Sequence, residues 1–202
     1  MNQNDQIPVL HLGPKITGTN GLNGLNGLNC LKIGVDIGKV LSASDSNPQL
    51  INVNNALESL EELQKTCKLY IISYSKGKRS ANRYNKLVSN GHLNLFEDTY
   101  FVSEREYKKD VTNFLECNVM IDDKESILDD IKRSNPNIVT ILYQEFNTQI
   151  KTNHKHHICV SSWKELMEKI ASIQVQTYHI ENKEPLESKY EITHLDSKCK
   201  LF

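Results

Sequence analysis

No apolar run in this chain approaches the roughly 20 residues that a membrane-spanning helix needs. An integral membrane protein is therefore not expected. An excess of either charge is also lacking: 24 basic residues face 25 acidic ones, a net charge of −1, which argues against broad electrostatic binding of nucleic acid. Cysteine pairing motifs are missing as well. Cys30, Cys67, Cys117, Cys159 and Cys199 are scattered with no C-x-x-C, the pattern of reduced thiols in a cytoplasmic protein. The opening residues, MNQNDQIPVLHLG, lack a basic start followed by an apolar stretch, so no secretory signal is expected.

What is present suits one ordinary domain with tails. The chain has 202 residues, 38% hydrophobic and 24% charged. Residues 18–29, GTNGLNGLNGLN, form a three-residue repeat with little to pack. Residues 1–29 are expected to be a largely unstructured arm that adds little stability. From Leu31 the pattern changes. LKIGVD, KLYIIS, DTYFVS, NVMIDD, NIVTILY and HHICVSS read as buried strands, and helical spacings alternate with them. Leu57, Leu60, Leu63 and Cys67 share a helical face, as do Ala81, Tyr84, Leu87 and Val88, and Val111, Phe114 and Leu115. The expected fold is α/β, a three-layer Rossmann-like parallel sheet with helices on both faces, over residues 30–172. Residues 173–202 are expected to be a polar tail.

Ligands of such sheets sit at the carboxyl ends of strands. Three strands here end in polar groups at that end: Asp36, Ser73, and the pair Asp122 and Asp123. If the strands are neighbours, with Asp36 on the middle one, the carboxylates converge, and their mutual repulsion needs relief. A divalent cation and a lysine would supply it. Hard carboxylate oxygens suit Mg²⁺, and Lys108 or Lys109 begins the helix before NVMIDD. Each residue alone has a plainer reading: Asp36 as a turn or cap, Asp122 or Asp123 as a helix N-cap, and the lysines as solvated groups.

Four segments in order, IGVDIGKV, LYIIS, REYKK and NVMIDDKESIL, resemble the motifs of the haloacid dehalogenase-like (HAD) superfamily. The resemblance covers about residues 31–172. It implies Asp36 as the nucleophile that takes a phosphoryl group, Ser73 as a hydrogen-bond donor to a phosphoryl oxygen, and Lys108 as the group that neutralises developing charge. It implies that Asp36, the Gly38 carbonyl, Asp122 and Asp123 hold Mg²⁺. Lys108 is preferred to Lys109 because it shares the face of Val111, Phe114 and Leu115. Ser73 is preferred to Ser75 because it directly ends its strand. The implied activity is Mg²⁺-dependent phosphatase chemistry through an aspartyl-phosphate.

Gly38 departs from the family pattern, which places a second aspartate there as general acid. Losing an acid costs about 10²- to 10⁴-fold, although some family members with D-x-G-x-V manage without it. Asp45 would substitute only if SASDSN folds back. The alternative is a non-catalytic scaffold that binds phosphorylated ligands or partners. Only 36 residues separate Asp36 from Ser73 and 34 separate Ser73 from Lys108, too few for a large cap domain. By family analogy an open site favours a bulky or macromolecular phosphorylated substrate, or closure by an oligomer partner.

Three further features carry plainer expectations. HKHH, with His154 and His157, reads as a solvated loop rather than a zinc site. SKGKRS, residues 75–80, reads as a solvated helix start, and Trp163 as a packed aromatic. The last residues, Cys199-Lys200-Leu201-Phe202, fit C-a-a-X. A prenyl group on Cys199 would be a weak anchor, since one lipid alone holds marginally.

Overall fold

Short β-branched strands alternate with amphipathic helices in the computed structural model, which describes residues 9–11, 30–145 and 156–181. In chain order they are β1 (Val9–His11), β2 (Lys32–Val35), α1 (Ala56–Leu63), β3 (Lys68–Tyr74), α2 (Lys78–Ser89), β4 (Asp98–Val102), α3 (Tyr107–Phe114), β5 (Val119–Asp122), α4 (Glu125–Ser134), β6 (Val139–Tyr143), β7 (Ile158–Val160) and α5 (Trp163–Glu181). One sheet holds all seven strands in the order β1-β4-β3-β2-β5-β6-β7. Strands β2 to β7 pair in parallel, and β1 adds antiparallel to β4. Counted from β2, the parallel strands run 3-2-1-4-5-6, the doubly wound order whose ligand crevice opens where the order reverses. That reversal lies between β2 and β5.

Burial on both sheet faces explains why the strands read as nearly unbroken apolar runs. Ile33, Val35, Leu69 and Ile71 pack under α1, α5 and Leu87 of α2, whereas Ile72, Met120 and Leu142 pack with Val111, Leu128 and Ile131 of α3 and α4. Gly34 sits where the second layer closes on β2. A Cβ there would lie 2.7 Å from Met120 Sδ and 2.8 Å from Ile72 Cδ1. The connection from β2 to β3 contains only α1, and that from β3 to β4 contains α2 and a single 3-10 turn.

Several expectations shift. Val9–His11 pairs with Val102–Tyr100, so part of the N-terminal arm is sheet; residues 1–8 and 12–29 lie outside the described residues. Helix α5 runs to Glu181, past the expected start of the tail, and Cys199 lies outside the described residues. In α2 the buried stripe is Ser80, Arg83 and Leu87, with Val88 50% exposed. In α3 it is Lys108, Val111 and Thr112, with Phe114 77% exposed. Leu87 and Val111 are buried and Tyr84 and Leu115 pack against the core as expected, whereas Ala81, Val88 and Phe114 are exposed, because polar side chains with buried partners take part of the inward stripe. His157 is not solvated. Its side chain is 2% exposed; Nδ1 bonds Thr140 Oγ1 at 2.7 Å and Nε2 meets Asp129 at 3.1 Å. His154 lies outside the described residues. No helix among the described residues is long and apolar enough to cross a membrane.

Trp163 packs as expected and does more. Fully buried at the start of α5, its indole N–H donates to the Val40 carbonyl at 2.9 Å. This pins the loop after β2, where Ile37, Val40 and Leu41 are all buried. Trp163→Phe removes the donor, orphans a buried carbonyl and leaves a void. Urea unfolding should show a loss of about 2–4 kcal/mol.

Candidate active site

The strand registers bring the expected residues together. Val35 pairs with Ile71 on one side and with Ile121 on the other, so the residues that follow emerge side by side. The Asp36 N–H donates to the Ile121 carbonyl at 3.0 Å, which extends the pairing by one step and fixes the backbone under the Asp36 carboxylate. Asp36 and Asp122 are 6% and 0% exposed. One carboxylate oxygen from each of Asp36, Asp122 and Asp123 lies within 4.8 Å of the other two.

Lys108 joins the two buried carboxylates. Its ammonium donates to Asp36 Oδ1 at 2.7 Å and to Asp122 Oδ2 at 2.6 Å. Burial works against that ammonium, but Asp122 and Asp36 outweigh it and hold its pKa above the ordinary lysine value. Thr112 Oγ1 donates to the Lys108 carbonyl at 2.7 Å. Asp122 is differently placed. Burial pushes its carboxyl up to about 6, against the pull of Lys108 and with the help of the Asp36 charge. One shared ammonium does not offset the desolvation of a wholly buried carboxylate beside another. Asp122 Oδ1 also accepts the Lys124 N–H at 2.9 Å.

These residues line a cavity of about 190 Å³, together with Gly38, Lys39, Tyr74, Arg79, Arg83, Arg105 and Lys124. Ser73 is buried but does not itself line it. Its Oγ accepts from Arg83 Nη1 at 3.1 Å, so it reaches the site through Arg83. The Ser75 hydroxyl is buried without a hydrogen-bond partner. Lys109, half-buried, is absent from the lining.

Arg83 is the residue the sequence reading missed. It is 4% exposed and its Nε donates to Asp45 Oδ1 at 2.8 Å. Its signal was the spacing Ser80, Arg83, Leu87, a helical stripe with a cation in the middle. The SASDSN loop does fold back, and Asp45 is held there by Arg79 as well as Arg83. Burial opposes its ionisation, yet the two guanidiniums keep its carboxyl below the usual range. That makes it a poor proton donor, and it does not line the cavity. Arg79, within the run expected to be solvated, lines the cavity, and Arg105 lies 5.1 Å over the Tyr74 ring.

No family model matches the chain, and no curated protein does. Solved structures resemble it. An uncharacterized protein from Listeria monocytogenes serotype 4b is 19% identical with a TM-score of 0.53, covering 72% of this chain and 99% of its own. The HAD hydrolase YfnB from Bacillus subtilis, bound to magnesium, is 14% identical with a TM-score of 0.48, covering 58% of this chain and 55% of its own. A haloacid dehalogenase-like family hydrolase from Streptococcus pneumoniae is 12% identical with a TM-score of 0.47, covering 58% and 59%. The chain thus spans a little over half of each of these two hydrolases. Six parallel strands wound 3-2-1-4-5-6, with acidic residues closing β2 and β5 at the point of reversal, give this chain a doubly wound α/β fold that it shares with the Listeria protein.

Proposed function

We propose that the protein is a Mg²⁺-dependent phosphatase that works through an aspartyl-phosphate on Asp36. The observation that carries this is the buried ammonium of Lys108 bridging Asp36 and Asp122 at 2.7 and 2.6 Å. The donor set fits the metal. Each of the three carboxylates offers a hard oxygen, and these lie within 4.8 Å of one another, which suits a small divalent cation. Asp36, Asp122, Asp123 and the Gly38 carbonyl would hold it. Bound there, Mg²⁺ supplies charge neutralisation at the phosphoryl oxygens.

The chain's own residues do the rest. The Asp36 carboxylate attacks phosphorus. Lys108 orients that carboxylate through its 2.7 Å hydrogen bond, and stabilises charge as it moves onto the phosphoryl oxygens. Ser73 fixes Arg83, whose charge also faces the phosphoryl group. The free thiols of Cys30, Cys67, Cys117 and Cys159 favour a reducing, cytoplasmic setting. Gly38 favours one rival, a scaffold that binds phosphorylated ligands without turning them over.

Incubation with an aryl phosphate separates the two. A phosphatase should release inorganic phosphate with Mg²⁺ and stop with chelator, and acid quenching should trap phosphate on the protein in a base-labile bond. Binding of a phosphorylated ligand with no release and no trapped phosphate would favour the scaffold.

Mg²⁺ affinity should depend on pH. A proton on Asp122 competes with the metal, and its pKa is about 6. Calorimetric titration should show affinity nearly constant from pH 7 to 8 and falling about tenfold per unit below pH 6. A flat profile from pH 5 to 8 would exclude Asp122 as a ligand.

A further inference from the structure

Position 38 faces the nucleophile but carries no side chain. A Cβ there would lie 3.4 Å from Asp36 Oδ2 and 4.0 Å from Arg83 Nη2. Where a proton donor would stand beside the reacting carboxylate, the nearest charged group is therefore a guanidinium. Arginine stays protonated under all ordinary conditions, so it stabilises an anion without giving up a proton. Arg83 is also set in place beforehand. Its Nε bonds Asp45 Oδ1 at 2.8 Å, and its Nη1 bonds Ser73 Oγ at 3.1 Å and the Tyr74 carbonyl at 3.4 Å. None of these bonds uses Nη2, the nitrogen nearest position 38.

Asp45, behind Arg83, is held ionised by two arginines. The cavity wall has the same bias. Lys39, Arg79, Arg83, Arg105, Lys108 and Lys124 line it against three carboxylates. Counting Asp45 behind the two arginines, two positive charges are left, which one phosphoryl dianion balances and to which a divalent cation among the carboxylates would add.

These features impose one requirement: the leaving group must depart as an anion, unaided by a proton, into a positive field. An alkoxide is far too basic for this, whereas a phosphate is a weak base and brings negative charge of its own. We propose, on the reading of Asp36 as the nucleophile, that the site acts on phosphoanhydrides in preference to alkyl phosphate monoesters, with Arg83 stabilising the departing phosphate oxygen. In the first step an Asp36 oxygen bonds to the terminal phosphorus. The bridging P–O bond breaks and its electron pair stays on the bridging oxygen, which becomes an unprotonated terminal oxygen of the leaving phosphate. In the second step water attacks the aspartyl-phosphate phosphorus. The P–O bond to Asp36 breaks, the carboxylate is restored, and the water's proton passes to the released phosphate or to solvent.

Turnover with Mg²⁺ of pyrophosphate, a nucleoside triphosphate, a series of aryl phosphates of graded leaving-group acidity, and glycerol phosphate tests this. The wild type should favour at least one anhydride over glycerol phosphate by about 10²-fold or more in kcat/KM, and its aryl rates should rise steeply with leaving-group acidity. Whether pyrophosphate or the nucleotide leads identifies the anhydride. Arg83→Gln should lower anhydride kcat by about 10²- to 10³-fold. Gly38→Asp should do what misfolding cannot: raise glycerol phosphate turnover and flatten the aryl dependence, because it supplies the missing proton. A shallow aryl dependence in the wild type, or glycerol phosphate turned over as fast as the anhydrides, overturns the proposal alone. No turnover and no trapped phosphate with any compound overturns both it and the assignment of Asp36.

Discussion

Asp36→Asn should abolish Mg²⁺-dependent phosphate release while leaving the protein folded. The amide keeps the shape of the side chain but is no nucleophile, and removing a covalent nucleophile costs about 10⁴- to 10⁶-fold in kcat. Folding should survive because the lost charge is one the metal-free site bears at a cost. The Asp36 carboxylate is among the causes that push Asp122 up to about 6. With it gone, Asp122 keeps Lys108 to itself at 2.6 Å, and the buried pair approaches neutrality. The variant should therefore unfold within about 1–2 kcal/mol of the wild type at pH 7, bind Mg²⁺ more weakly, and trap no phosphate on acid quenching. Phosphate release at the wild-type rate would sink the nucleophile assignment, and a fully unfolded variant would show that the carboxylate is structural first.

The legible part of this site is the part written by burial. A carboxylate at the end of an apolar run, as in Asp36 and Asp122, has few structural uses, and the ordered set of four segments narrowed them. The strand neighbours followed from the same polar endings, and the structure places β2 between β3 and β5. The preference for Lys108 over Lys109 rests on a face that includes Phe114, and Phe114 points to solvent. The choice agrees with the structure because Val111, one turn on, does face inward. Arg83 escaped because α2 buries only Ser80, Arg83 and Leu87. The apolar residues Ala81, Tyr84, Leu87 and Val88 suggest a face offset from the buried one, whose cation Arg83 is set by bonds to Ser73, the Tyr74 carbonyl and Asp45 rather than by hydropathy. The same holds for His157, whose burial depends on Thr140 and Asp129, partners distant in sequence. Periodicity reports apolar contacts, so charged groups that are buried through specific partners stay invisible to it.

Lys108→Met should give the largest change in stability, and one that depends on pH and metal. Methionine fills much of the volume, but two buried carboxylates lose their shared ammonium. Removing one member of a buried ion pair costs about 3–5 kcal/mol. Part of that cost is avoidable by protonation. A carboxyl whose folded pKa lies above its unfolded value binds the proton more tightly when folded. Its contribution to stability is therefore present at low pH and is lost as pH rises through the folded pKa. In the wild type this loss runs from about 4, near the unfolded value, to about 6 for Asp122. Without Lys108, which lowers that pKa, the window extends upward. Urea unfolding of the metal-free variant should show a deficit near its maximum at pH 8 and a clearly smaller one at pH 5. Mg²⁺ should recover more of the variant's stability than it adds to the wild type, because Asp36 and Asp122 then lack the ammonium they share in the wild type. Phosphate release should still fall by about 10²- to 10³-fold, since the phosphoryl oxygens lose a fixed donor. An equal deficit at both pH values, or no greater stabilisation by Mg²⁺ in the variant, would mean that Lys108 holds the helix in place rather than balancing the carboxylates.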